Sequence, residues 1–221
     1  MDLLDCVEIE TGPSPRFSVI WLHGLGADGH DFESVVPQLV RPEWPAVRFV
    51  FPHAPVRPVT INNGMAMRAW YDIKGMQIAD KQDEPGIRQS IAQLDDLIAH
   101  EVERGIPSQR VLLAGFSQGG AIVLAGGVRH AAKLAGIVAL STYLPLAEKT
   151  AAERSDANKG LPIFMGHGSI DNVVPEVLGT TTRNALETLG YAVEWHSYPM
   201  AHQVSAQEIA DLRRWMTARL G

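Results

Sequence analysis

The stretch Arg110-Val111-Leu112-Leu113-Ala114-Gly115-Phe116-Ser117-Gln118-Gly119-Gly120-Ala121-Ile122-Val123-Leu124-Ala125 decides the fold. An apolar, strand-like run ends at Ala114, a serine follows between Gly115 and Gly119, and an apolar helical stretch opens immediately after it. Strand, sharp turn and helix in that order are the setting of a nucleophile elbow. Such a turn needs small residues two before and two after the serine, because any side chain there would strike neighbouring backbone. It lifts the Ser117 hydroxyl above the sheet, aims it at a helix N-terminus, and leaves the backbone N–H of Gln118 free to stabilise an oxyanion. The five-residue motif alone can also be an ordinary loop serine, so the rest of the chain has to decide.

Working outward, further apolar runs lie at 17–22, 47–51, 136–140, 161–165 and 192–196 beside the one at 110–114. Their unbroken hydrophobicity suits parallel strands covered on both faces. Helical periodicity over 87–103, 118–130, 176–189 and 205–219 supplies the covers. This β-α alternation predicts one α/β domain over residues 1–221: an open, mostly parallel, doubly wound sheet with helices on both faces. Ligand sites on such sheets sit beyond the carboxyl ends of the strands. Residues 52–86 and 142–160 show no regular pattern, and the first stretch is long enough to be a binding loop beside the site. No internal repeat or low-complexity linker divides the chain.

A hydrolase on this scaffold needs an acid and then a histidine, each following a later strand. After 161–165 comes Gly166-His167-Gly168-Ser169-Ile170-Asp171, and after 192–196 comes Tyr198-Pro199-Met200-Ala201-His202. Asp171 and His202 are therefore the expected partners of Ser117. Asp156 is the competing acid, but it precedes its strand and falls on the wrong side of the sheet. Of the other histidines, His196 lies within a strand, and His167 precedes the acid too closely to face it across the site. A second oxyanion donor should come from the loop after an early strand, where His23-Gly24-Leu25-Gly26 offers the backbone N–H of Leu25; its side chain would form one wall of an acyl pocket.

The same loop contains a decoy. Gly24-Leu25-Gly26-Ala27-Asp28-Gly29 fits the dinucleotide pattern G-x-G-x-x-G, but the second strand ends in Phe51-Pro52-His53-Ala54-Pro55, with no acid to bind a ribose. His23, Asp28, His30 and Asp31 lack metal-ligand spacing and are expected to brace the loop or cap a helix beginning near Asp31. No metal or cofactor is called for.

With 221 residues, 46% of them hydrophobic, the chain can bury one substantial core. A formal charge of -6 without a basic cluster argues against nucleic acid as a partner. No apolar run reaches the roughly 18 residues of a spanning helix, so integral membrane association is not expected. The acidic N-terminus lacks the features of a signal peptide, and the lone Cys6 cannot form an internal disulfide; the expected location is cytoplasmic.

Several segments carry a resemblance to a known group. They are Trp21-Leu22-His23-Gly24-Leu25-Gly26, Phe51-Pro52-His53-Ala54-Pro55, Ala69-Trp70-Tyr71-Asp72-Ile73, Ala114 to Gly120, Leu140-Ser141-Thr142-Tyr143-Leu144-Pro145, and Tyr198-Pro199-Met200 leading to His202. Over nearly its whole length the chain resembles the small carboxylesterases and acyl-protein thioesterases of the phospholipase/carboxylesterase family, within the α/β-hydrolases, and looks closest to the bacterial carboxylesterases. The resemblance implies Ser117, Asp171 and His202 as a catalytic triad, Leu25 and Gln118 as the oxyanion hole, and a fold without a cap domain. It also implies that Trp70, Tyr143 and Val173, together with Leu25, line an open acyl groove.

The implied activity is hydrolysis of carboxylic esters of short-to-medium acyl chains through an acyl-enzyme. The alternatives are acyl-protein thioester or lysophospholipid cleavage. A non-catalytic binding protein on the same scaffold would be expected to lack a triad member. The substrate would be a small-molecule ester or thioester, and an open apolar groove in a cap-less fold leaves room for a homodimer. Met65-Ala66-Met67 and the loop from Gly75 to Asp83 depart from the family pattern and bear on acyl-chain length.

Overall fold

The computed structural model of the chain describes residues 3–75 and 82–220. The six apolar runs become β2 (Phe17–Leu22), β3 (Val47–Pro52), β6 (Val111–Phe116), β7 (Gly136–Leu140), β8 (Pro162–Gly168) and β9 (Ala192–Tyr198). An additional strand β1 (Cys6–Glu10) completes a sheet ordered β1-β3-β2-β6-β7-β8-β9. All neighbours pair in parallel except β1, which runs antiparallel along β3 and forms one edge. A separate two-stranded ribbon, β4 (Val56–Val59) with β5 (Met65–Arg68), stands within the stretch expected to be irregular.

Alternate residues of each central strand enter two different cores, which is why the strands read as unbroken apolar runs. Ile20, Leu22, Leu113 and Ile137 face α2 (Glu84–Glu103) and α3 (Gln118–Arg129), packing with Leu94, Ile98 and Ile122. Val19, Trp21, Leu112, Val138 and Phe164 face α1 (Val36–Leu39) and α6 (Ala206–Leu220), packing with Leu39, Leu212, Trp215 and Met216. The remaining helices are α4 (Ala147–Glu153), inside the second stretch expected to be irregular, and α5 (Glu176–Thr188). Burying each large aliphatic or aromatic side chain contributes about 1.5–3 kcal/mol, so both faces must be covered for the sheet to be stable.

The chain winds from β2 to β3 in one direction and later adds β6 on the other side of β2. The strand order therefore reverses between β2 and β6, and the crevice beyond their carboxyl ends is the expected ligand position. Leu22 pairs with Gly115 there, which sets the loop that starts at His23 beside the turn that holds Ser117.

Candidate active site

Ser117 sits at φ 54° and ψ -119°, a backbone region costing a non-glycine residue on the order of 1–3 kcal/mol. Its neighbours hold it there. The Ser117 N–H donates to Leu140 O at 2.8 Å, and Ser117 O accepts from Ala121 N at 3.0 Å and from Thr142 Oγ1 at 2.7 Å. A Cβ on Gly115 would stand 2.5 Å from the Gly119 carbonyl carbon. A Cβ on Gly119 would strike the carbonyl oxygens of Leu22 and His23, the latter at 2.5 Å. The two glycines thus let the elbow close against β2.

The three residues selected by chain order meet. Ser117 Oγ lies 2.9 Å from His202 Nε2, and His202 Nδ1 lies 2.7 Å from Asp171 Oδ2. The other Asp171 oxygen accepts from Val173 N at 2.8 Å and Val174 N at 2.9 Å, and the carboxylate is buried. An acid that only accepts makes Nδ1 of His202 the donor and leaves Nε2 to accept the Ser117 proton. Phe116 packs against the imidazole at 4.7 Å between ring centroids, fixing its plane.

The rejected candidates lie elsewhere or do something else. Asp156 is exposed and pairs with Lys159 at 2.7 Å. His196 bonds Glu194 at 2.9 Å and stacks on Phe164 at 5.2 Å, away from Ser117. His167 sits beside the acid and not across from it: Nε2 bonds Val174 O at 2.8 Å and lies 3.8 Å from Asp171 Oδ2. The turn that bonds Asp171 N to Gly168 O folds the acid back over the strand end. Burial lowers the His167 pKa, so the ring is neutral and donates to the Val174 carbonyl.

The loop after β2 stands beside the nucleophile: a Cβ on Gly24 would be 3.6 Å from Ser117 Cβ. His23 is buried, which pushes its pKa down to about 4. Its Nδ1–H donates to Gly24 O at 2.7 Å, and Nε2 accepts from Ala54 N at 3.1 Å. Leu25, the next residue, is half-buried. Farther along, His30 N donates to Asp28 Oδ1 at 2.9 Å and Gly29 N to His53 Nδ1 at 3.0 Å, so these polar groups brace the loop. Asp31 caps nothing: the first turn here is capped by Phe32 without a side-chain bond. Among the described residues no group of three or more His, Cys, Asp or Glu side chains could hold a metal ion.

The residues assigned to an acyl groove diverge. Val173 is 60% exposed on the acid loop, whereas Trp70 is 1% and Tyr143 7% exposed. Trp70 therefore offers a substrate almost no open face. Its backbone N–H instead donates to Gln118 Oε1 at 2.8 Å, and its indole Nε1 donates to His23 O at 2.9 Å. Tyr143 is tied through its hydroxyl to that of Tyr71 at 2.7 Å. Of the departing loop from Gly75 to Asp83, residues 76–81 lie outside the described residues. The Gln118 amide, Thr142, the Val173 and Val174 N–H groups and His167 were not anticipated at the site. The bonds of Gln118 and Thr142 span unrelated segments and leave no spacing signal, whereas the Val173 and Val174 N–H groups close a local turn on Asp171 and His167 shares the acid's loop.

The doubly wound sheet, the elbow at its reversal point and the Ser-His-acid relay define an α/β-hydrolase fold. The chain belongs to the phospholipase/carboxylesterase family, matching it over residues 4–220. It is 43% identical to acyl-protein thioesterase 1 of Neurospora crassa over 212 residues, covering 92% of this chain and 86% of that protein. It is 40% identical to acyl-protein thioesterase 1 of Cryptococcus neoformans, covering 92% of both chains. The crystal structure of Arabidopsis thaliana SOBER1 superposes with a TM-score of 0.88 at 30% identity, over 93% of this chain and all of that one. These relatives are fungal and plant proteins, where the sequence segments had looked closest to bacterial ones. As expected of this family, no cap domain is evident, and no helix among the described residues is long and apolar enough to cross a membrane.

Proposed function

We propose that this protein is a carboxylesterase that hydrolyses carboxylic esters of short-to-medium acyl chains through an acyl-enzyme on Ser117. The observation that carries the reading is the unbroken relay from Ser117 Oγ through His202 to the buried Asp171, mounted on a strained elbow. As Ser117 Oγ attacks the acyl carbon, its proton passes to His202 Nε2, and Asp171 holds the resulting imidazolium. The carbonyl oxygen becomes an oxyanion bound by the N–H groups of Leu25 and Gln118. Collapse expels the alcohol or thiol, which takes the proton from Nε2. Water, activated by the same nitrogen, then releases the acid and restores Ser117.

A second reading, an acyl-protein thioesterase, draws support from the names of the fungal relatives, and the same relay would serve it. The setting proposed is the cytoplasm. Two measurements test the assignment. A fluorophosphonate probe should label the native enzyme and not Ser117→Ala. A panel of p-nitrophenyl esters of rising acyl length, run beside S-acylated peptides, then ranks kcat/KM. A preference of more than about tenfold for the S-acylated peptides would favour the second reading, and turnover by Ser117→Ala would refute both.

A further inference from the structure

The Gln118 side chain is buried and touches none of the reacting groups, yet both its amide oxygen and its amide nitrogen are engaged. Oε1 accepts from Trp70 N at 2.8 Å and Nε2 donates to Tyr71 O at 2.7 Å. The amide thus pairs with that backbone as a neighbouring strand would, although residues 69–72 belong to no sheet. The other side of the same segment is pinned by Ser90 of α2, whose hydroxyl donates to Trp70 O. Held in this way, the Trp70 indole donates to His23 O at 2.9 Å, and its ring packs on the His23 imidazole at 5.4 Å. The imidazole in turn donates from Nδ1 to Gly24 O at 2.7 Å. That oxygen and the N–H of Leu25 belong to one peptide group, in which carbonyl and N–H point in opposite directions. Fixing Gly24 O therefore fixes the aim of the Leu25 N–H.

We propose that Gln118, Trp70 and His23 are positioning residues that lock the two halves of the oxyanion hole together: the residue supplying one N–H reaches through its own side chain to orient the other. The inference rests on the reading that the N–H groups of Leu25 and Gln118 bind the oxyanion. It assigns Trp70 to the transition state and not to the acyl chain. A buried polar network in which each of these nitrogens and oxygens has a partner holds one geometry, and catalytic donors must already be aimed where charge develops. A neutral His23 is required, since Nε2 must accept from Ala54 N while Nδ1 donates; burial, which lowers its pKa to about 4, keeps it so.

Trp70→Phe keeps the buried ring and removes the bond to His23 O. Gln118→Glu keeps the acceptor for Trp70 N and sets a second acceptor against Tyr71 O. It tests the same link by an independent route should Trp70→Phe not fold. The readouts are kcat and KM on p-nitrophenyl esters of several acyl lengths, and the affinity of a matched trifluoromethyl ketone. In that complex Ser117 Oγ bonds to the ketone carbon, its proton goes to His202, and the ketone oxygen becomes the oxyanion.

Losing one oxyanion donor costs about 10²–10³ in kcat, so misaiming one should lower kcat by roughly 10–100-fold. KM and the acyl-length profile should stay as they were, and ketone affinity should fall in step with kcat/KM. A kcat within twofold of wild type, a change confined to KM or to acyl-length preference, or a kcat loss with full ketone affinity overturns the proposal. Turnover by Ser117→Ala would instead remove the reading beneath it. A dead Ser117→Ala beside fully active Trp70→Phe and Gln118→Glu removes the clamp alone.

Discussion

Glu208, in the first turn of α6, is fully buried, and neither carboxylate oxygen has a hydrogen-bond partner among the described residues. It presses on β8 where Gly166 leaves room for it. Burial pushes its pKa up to about 8 from an ordinary 4.5. Asp211 adds to the rise, and the Ser205 backbone N–H opposes it without reaching hydrogen-bond geometry. Between those two pH values the folded protein keeps a proton that the unfolded chain has lost. The stability this group contributes is therefore complete below about pH 4.5 and is lost as pH rises through about 8.

At about 1.4 kcal/mol for each tenfold change, the whole span is at most about 5 kcal/mol, and relaxation around the charge reduces it. His23, with its pKa lowered to about 4, has the opposite slope at acid pH, so the wild-type curve alone mixes the two. Glu208→Gln separates them, being nearly isosteric and unable to ionise. Urea unfolding of both proteins should be followed from pH 4.5 to 9. The variant should gain on the wild type progressively as pH rises, by a few kcal/mol at the alkaline end. A stability difference that stays flat with pH would show that Glu208 is ionised or solvated in the fold and refute the argument.

Other outcomes follow from the site. His202→Ala should lose at least about 10³-fold in kcat/KM on p-nitrophenyl esters, while His196→Ala stays within about threefold; equal losses would leave the base unidentified. Gly119→Ala should lower thermal stability severely, by more than about 3 kcal/mol, because its Cβ would drive into the β2 carbonyls. An unchanged melting curve would contradict that packing. Esters of one acid with different good leaving groups should share one kcat and differ in KM if deacylation limits, with a burst of alcohol in stopped flow; leaving-group-dependent kcat without a burst would place the slow step at acylation.

β2, β3, β6, β7 and β8 were legible because each is buried on both faces, so hydrophobicity alone marks them, whereas β9 is the partly exposed edge opposite β1 and shows in the sequence through its β-branched and aromatic residues. β1 was not: Cys6–Glu10 lies on the edge, with an alternating burial pattern and two acidic residues. The β4–β5 ribbon hid behind the prolines and glycine of 52–68, and α4 behind a polar, Ala-rich composition. Ser117, Asp171 and His202 could be chosen from the sequence because each must follow a strand, and chain order discriminates among the candidates. Trp70 was misleading for a physical reason. An aromatic residue near a site motif reads as a pocket wall, whereas its buried indole bonds a carbonyl 47 residues away in sequence, which no local pattern encodes. His167 was set aside because it precedes the acid too closely to face it across the site; its bond to Val174 O, formed where the turn at Gly168 brings Asp171 back over the strand end, left no mark in the sequence.

Whether Ser117 carries the acyl group can be read from the enzyme's own mass during turnover. The enzyme is mixed with excess p-nitrophenyl ester of a short acid, quenched in acid within milliseconds to seconds, digested and weighed by mass spectrometry. The Ser117 peptide should gain the mass of the acyl group during the burst and lose it as substrate runs out, while Ser117→Ala should never gain it and should fail to turn over. Steady turnover with no adduct at any quench time, together with activity in Ser117→Ala, would mean that water attacks the ester directly and that Ser117 is not the nucleophile.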